Sequence, residues 1–191
     1  MTSPFNDPRV SGVFDRAFGT DVRRDWPDYT RFTPWMPLTG TQHPIWSGDE
    51  KNTIGAFQGI YVAALFPSLD AIPEGPADPF DPSVVYIGRT KTATLTSRWG
   101  QFKSAVRGDG GHSGGNTFYA THVETAGDAW EDVLARTRLA GLPVWLGRVD
   151  DSRTKDIRRI CFRTALLESA LVEAVYAHKA ANGGAALLNK A

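Results

Sequence analysis

A chain of 191 residues, 41% of them apolar and 22% charged, has the composition of a folded globular protein rather than a disordered, collagen-like or fibrous one. It is long enough for one good-sized domain plus an arm, and too short for two full domains. A formal net charge of zero argues against a protein that simply coats DNA, and the single cysteine, Cys161, excludes an internal disulfide and a cysteine-based zinc site.

The first residues, MTSPFNDPRVSG, carry an early Pro and an early Asp and lack the apolar stretch of a secretory signal. No apolar run approaches the length that spans a bilayer, so the expected compartment is the cytoplasm. Residues 1–53 are rich in Pro, Trp, Phe and Asp with little periodicity. They read as an extended arm packed on the main domain through Trp26, Trp35 and Trp46, with a short helix around Arg9 to Phe18. Ile54 to Phe66 (IGAFQGIYVAALF) reads as a strand ended by Pro67. Residues 67–82 form an acidic insert with five prolines, which marks a loop. Val84 to Thr90 is a second strand.

Thr94 to Val106 reads as a helix with Leu95, Trp99, Phe102 and Val106 on one side, weakened by Gly100. The glycine-rich GDGGHSGGN breaks the chain, and Phe118 to Val123 is expected to be extended. Asp128 to Leu139 reads as a helix with a capping-box-like start at Asp128 and Glu131. Gly141 and Pro143 end it, and Val144 to Val149 is the third strand. Thr154 to Ala180 is a long amphipathic helix stopped at Gly183. These elements predict an α+β fold: a small three-stranded antiparallel or mixed sheet flanked by helices, in the order β-β-α-α-β-α, over residues 54–191.

Charge is unevenly spread. From Arg89 to Gly108 the chain carries Arg89, Lys91, Arg98, Lys103 and Arg107 and no acid, whereas the insert carries Asp70, Glu74, Asp78 and Asp81 and no base. One stretch suits phosphates and the other repels them.

Gly59-Ile60-Tyr61 in the first strand and Tyr86-Ile87-Gly88 in the second resemble the signature of the GIY-YIG nuclease superfamily. Leu95 three residues before Arg98, Glu168 followed by Leu171 and Val172, and Asn189 near the chain end fit the rest of that pattern. The resemblance covers roughly residues 54 to 191, with a wider gap than usual between the two tyrosines because of the insert.

Hydrolysing a phosphodiester needs an activated water and stabilisation of charge on the phosphoryl oxygens. A tyrosine near cations can pass a proton, an arginine fork suits phosphate, and a lone carboxylate can hold Mg²⁺ if waters complete its shell. The resemblance implies that Tyr61 and Tyr86 position or deprotonate the water and Arg98 binds the scissile phosphate. It also implies that Glu168 binds one Mg²⁺ or Mn²⁺, and that Asn189 supports the site through hydrogen bonds. Arg89, with Lys91, Lys103 and Arg107, is expected to contact the nucleic-acid backbone. On a helical wheel Glu168 falls in the apolar arc of Ile157, Ile160, Leu171 and Val175, where a carboxylate needs a cation or a metal.

Taken singly, each of these residues has a plainer role: strand aromatics, a surface arginine, a buried Glu–Arg pair. His112 reads as an ordinary loop residue, with the alternative that its loop carries it into the active site; His122 and His178 read as structural, and Cys161 as a core residue on the last helix. Together the residues predict a one-metal endonuclease acting on nucleic acid, DNA foremost, with the arm contributing to dimerisation or substrate grip. The competing expectation is a catalytically inactive member that uses the fold as a nucleic-acid-binding or scaffold module.

Overall fold

The computed structural model describes residues 32–38, 58–143 and 154–189, with backbone alone for 154–160. Four strands, β1 (Met36–Pro37), β2 (Gly59–Leu65), β3 (Val84–Arg89) and β4 (Thr137–Pro143), form one sheet in the order β1-β4-β2-β3. Every pair is antiparallel. The expected three-stranded sheet therefore gains a fourth strand, supplied by the N-terminal arm along the free edge of β4. Thr33 strengthens that join, its amide donating to the Gly141 carbonyl at 2.9 Å and its hydroxyl accepting from the Gly141 amide at 3.1 Å.

Three helices lie between β3 and β4: α1 (Leu95–Ala105), α2 (Ser113–Phe118) and α3 (Trp130–Arg136). The segment between α2 and α3 is also helical, as a π-turn over Tyr119–Val123 and a 3₁₀ stretch over Glu124–Ala129. α4 (Thr154–Asn182) follows β4. Among the described residues no helix is long and apolar enough to cross a membrane.

The first half of the core domain matches expectation closely. Thr94 caps α1, accepting a hydrogen bond from the Ser97 amide at 3.2 Å. The second half departs from it. Phe118 to Val123 is helical, not extended, and α2 begins inside what reads as a glycine-rich loop. The expected helix from Asp128 to Leu139 is shorter: Ala129 is its cap with no side-chain bond, and the backbone turns extended at Thr137. The next seven residues, TRLAGLP, form β4, so Gly141 and Pro143 belong to a strand rather than to a helix stop. The strand expected at Val144 to Val149 lies outside the described residues, as do Arg9 to Phe18, Trp26 and Trp46.

The reason is position in the sheet. β4 lies between β1 and β2 and is buried at every residue but Arg138, so it lacks the alternation that marks a half-exposed strand. α4 covers one face of the sheet, packing Leu167, Leu171, Ala174 and Val175 on Ile60, Val62, Ile87 and Leu142. α1, α2 and α3 cover the other face, where Leu95, Phe102, Phe118, Val133 and Leu134 meet Tyr61, Ala63, Val85 and Leu139. Each such side chain, fully buried, contributes about 1.5–3 kcal/mol.

Two further segments frame β3. In the acidic insert, Asp78 and Asp81 accept bonds from the amides of Phe80 (2.9 Å) and Ser83 (2.7 Å), making local turns. Beyond α4 the chain returns along the outer edge of β3, the amides of Ala185 and Leu188 donating to the carbonyls of Pro82 and Val85. An edge that would otherwise be open is thus partly covered.

Candidate active site

The β2–β3 register places Tyr61 opposite Gly88 and Ala63 opposite Tyr86, so both tyrosines project from the face covered by α1 and α2. A bulge at Ala63/Ala64, just beyond that pair, skips Val85 and lets it pack on the same face as Tyr86 while Val84 packs on the other. Their rings stand 6.0 Å apart, tilted by 46°. Gly88 makes this possible: a Cβ there would overlap the Tyr61 ring and hydroxyl. The last residue of the second tripeptide is therefore needed for close approach of the first tripeptide's tyrosine.

Tyr61 is almost fully buried, and its hydroxyl lies 2.5 Å from Nε2 of His112. The reading of His112 as an ordinary loop residue is overturned here, and its alternative place beside the site holds, since it is 2% exposed and caps α2. Its Nδ1 accepts a hydrogen bond from the Gly115 amide at 3.0 Å. A nitrogen that accepts carries no proton, so the neutral ring bears its hydrogen on Nε2 and donates it to the Tyr61 oxygen. Phe102 completes the cluster, its ring 5.3 Å from His112 and stacked 5.9 Å from Tyr86. Gly114, two residues after the histidine, lies against the Tyr86 ring so closely that a Cβ would collide with it. The HSGG run is a fitted wall of the site. A histidine at a helix cap followed, after one serine, by two glycines is the local signal that could have revealed it.

Burial pushes the Tyr61 phenol well above its ordinary value, and the neighbouring Tyr86 adds to that while Arg98 opposes it. Tyr86 is raised as well, again chiefly by burial, with Glu168 adding and Arg98 opposing. His112 falls to about 4, through burial and the positive charge of Arg98. At neutral pH this end of the site holds two phenols and a neutral imidazole.

Arg98, half-buried on the second turn of α1, is the link between the two ends. Its charge acts on Tyr61, Tyr86, His112 and Glu168 alike, while its Nη1 donates to the Gln101 side chain at 2.6 Å. Glu168 projects from α4 at the rim of the core, not inside it. Leu171 and Val175 are buried as the wheel requires, but the Glu168 side chain keeps 22% exposure. The side chains of Ile157 and Ile160 lie outside the described residues.

Arg89, from the end of β3, donates Nε to Oε2 of Glu168 at 2.7 Å and reaches the Cys161 carbonyl with Nη1 at 3.5 Å. Burial raises the Glu168 pKa, and Arg89, Arg98 and Lys91, in that order of strength, pull it back. The Glu–Arg pair that is the plainer role of Glu168 thus forms with Arg89, part-exposed at the rim.

Asn189 brackets β3 between the two site residues it carries. Its Oδ1 accepts from the Ile87 amide at 3.0 Å and its Nδ2 donates to the Ile87 carbonyl at 2.6 Å. It stands where a neighbouring strand's backbone would, one residue from Tyr86 and two from Arg89. Lys103 and Arg107 lie farther along α1 and past its end, and neither is among the charges acting on the tyrosines, His112 or Glu168.

The remaining candidates are peripheral. Cys161 is partly exposed rather than core, its thiol facing the Lys91 carbonyl. His122 packs on Phe118 at 4.9 Å, and His178 is exposed against Phe80 at 5.3 Å. Among the described residues no group of three or more His, Cys, Asp or Glu gathers to hold a metal, so the fully chelated set of a structural zinc site is not offered here. A hard cation that keeps most of its waters needs only one well-placed carboxylate. Glu168, part-exposed beside Arg98 and within the electrostatic reach of Tyr86, fits that requirement.

Comparisons of the chain with protein-family models, with curated proteins and with solved structures give no match.

Proposed function

We propose that the chain is a divalent-metal-dependent endonuclease of the GIY-YIG type, hydrolysing phosphodiester bonds in nucleic acid, DNA foremost. One observation carries this: Tyr61, Tyr86, Arg98 and Glu168 come from four different elements, and the Arg98 charge acts on each of the other three. A sheet whose central β2 bears the first tripeptide, beside β3 with the second and antiparallel to β4, supports the same view.

Each residue then has a role that follows from its surroundings. Arg98 presents a fork of donors to a phosphoryl group and stabilises charge that grows there during attack. Tyr61 accepts the His112 Nε2–H and turns its own hydroxyl hydrogen towards Tyr86, so that His112, Tyr61 and Tyr86 form one chain of donors. Because burial keeps both tyrosines protonated at neutral pH, they serve the free protein as orienting donors, not as ready bases. His112 positions Tyr61 and is a poor base itself, since protonating Nδ1 breaks its bond from Gly115. Glu168 is the residue that would hold Mg²⁺ or Mn²⁺, which when bound neutralises developing charge on the phosphoryl oxygens. Asn189 holds β3, and with it Tyr86 and Arg89, in register.

A second reading is a catalytically inactive binding or scaffold module. The Arg89–Glu168 pair favours it, because the pair satisfies the carboxylate without any metal. Incubating the protein with supercoiled plasmid, single-stranded DNA and RNA, with Mg²⁺ or with chelator, separates the two. The nuclease cuts at least one substrate only with metal, and Glu168→Ala stops it. If every substrate stays intact with Mg²⁺ and Mn²⁺, the module takes its place.

A further inference from the structure

Around Glu168 the charges do not balance. Arg89, Arg98 and Lys91 all act on this one carboxylate, and Arg89 already occupies Oε2 at 2.7 Å. The other described groups at the site, Tyr61, Tyr86 and His112, are neutral at neutral pH. Among the described residues, three positive charges therefore stand against one negative charge before any cation arrives. A divalent ion approaching Glu168 meets both a competitor on the ligand atom and repulsion from the two other cations.

A phosphodiester changes both terms. It brings negative charge that offsets the cations, and its paired oxygens match the planar fork of Arg89 better than a single carboxylate oxygen does. The Arg89 side chain is 25% exposed, and among the described residues its contacts are the Glu168 carboxylate and a long 3.5 Å approach to the Cys161 carbonyl, so little among them opposes its turning outward.

We infer that Arg89 is an exchangeable placeholder on Glu168, leaving the carboxylate for a nucleic-acid phosphate and so making metal and nucleic acid bind cooperatively. This rests on the nuclease proposal and extends it to how the site is loaded. By linkage, the factor by which nucleic acid tightens metal binding equals the factor by which metal tightens nucleic-acid binding. Arg89 is a positioning residue in this role, acting through the carboxylate it holds and releases.

Mn²⁺ is a direct probe, since the free ion is measured by its electron paramagnetic resonance signal without any turnover. The full chain is titrated with Mn²⁺ alone and in the presence of a duplex with a phosphorothioate backbone that resists hydrolysis. Glu168→Ala supplies the baseline for ions held by the duplex. The native chain should bind Mn²⁺ weakly alone and at least about fivefold more tightly with the duplex. Arg89→Gln should bind Mn²⁺ more tightly than the native chain when nucleic acid is absent, and gain less from the duplex. Arg89→Lys, which keeps the charge, should restore weak binding.

If Arg89→Gln binds Mn²⁺ no more tightly than the native chain while Glu168→Ala abolishes metal-dependent cutting, the placeholder role fails and the nuclease stands. If the native chain and Glu168→Ala bind Mn²⁺ alike and neither cuts, the nuclease proposal fails and the placeholder role falls with it.

Discussion

The two ends of the candidate site are built from opposite materials. Tyr61, Tyr86, Phe102 and His112 form an aromatic end that is continuous with the core between the sheet and α1, and Tyr61, Phe102 and His112 are each at most 3% exposed. Glu168 and Arg89 form a charged end at the rim, each about a quarter exposed. Substitutions should therefore separate: at the charged end they remove activity and leave the fold, while at the aromatic end they remove stability first. An ion pair at the rim, open to solvent on one side, contributes about 1 kcal/mol to folding, whereas a buried side chain in a packed cluster contributes several times that.

The largest effect is expected at the charged end, in activity alone. Glu168→Ala should lower cutting about a thousandfold, on the scale of losing a partner for transition-state charge. Its thermal melting should stay within a few degrees of the native chain, and a collapse of melting temperature would break the contrast at its clearest point. Next comes His112→Ala, which leaves a cavity beside Phe102 and removes the partner of the Tyr61 oxygen. It should cost about 3 kcal/mol in denaturant unfolding. A loss no larger than that of a surface histidine would place His112 outside the core cluster.

Acid should act on the same residue. His112 titrates at about 4 in the folded chain against 6.5 unfolded, so between these values the unfolded chain binds more protons and stability falls as pH falls. The contribution is fully present above pH 6.5 and lost on the way down to pH 4, about 3 kcal/mol in all. His112→Leu should flatten this part of the stability–pH curve, and an unchanged curve would assign the acid sensitivity to other groups. Gly114→Ala should cost about 2 kcal/mol by forcing the Tyr86 ring aside, with cutting reduced in proportion to the displaced tyrosine. The smallest effect is expected from Asn189→Ala. It removes two bonds to Ile87 at a part-exposed edge and should cost about 1 kcal/mol, read by denaturant unfolding.

Much of the candidate site was legible because it is written locally. Two tripeptides on neighbouring strands, an arginine one turn into a capped helix and a carboxylate near the apolar arc of a long helix can each be seen in a few residues. His112 was legible beside the site only as an alternative, since its glycine neighbours spell a loop and only the packed Tyr86 ring explains Gly114. β4 was misplaced for a related reason: Gly141 and Pro143 are helix stops by local preference, and their pairing with Tyr61 and Gly59 depends on a strand some eighty residues earlier. The fourth strand was hidden in the same way, because Met36–Pro37 is too short to carry a period.

By itself, then, the sequence determined the mixed α+β class, the first two strands of the core domain, and the bounds of α1 and α4, and it supplied the candidate residues. These follow from side-chain period, capping and residue type, which act over one or two turns. Only the tertiary structure decided which strand lies beside β2, that a histidine holds Tyr61, and that Glu168 rests on Arg89 and not on Arg98. Those are contacts between segments distant in the chain, set by burial and charge after the layers close, and no local pattern encodes them.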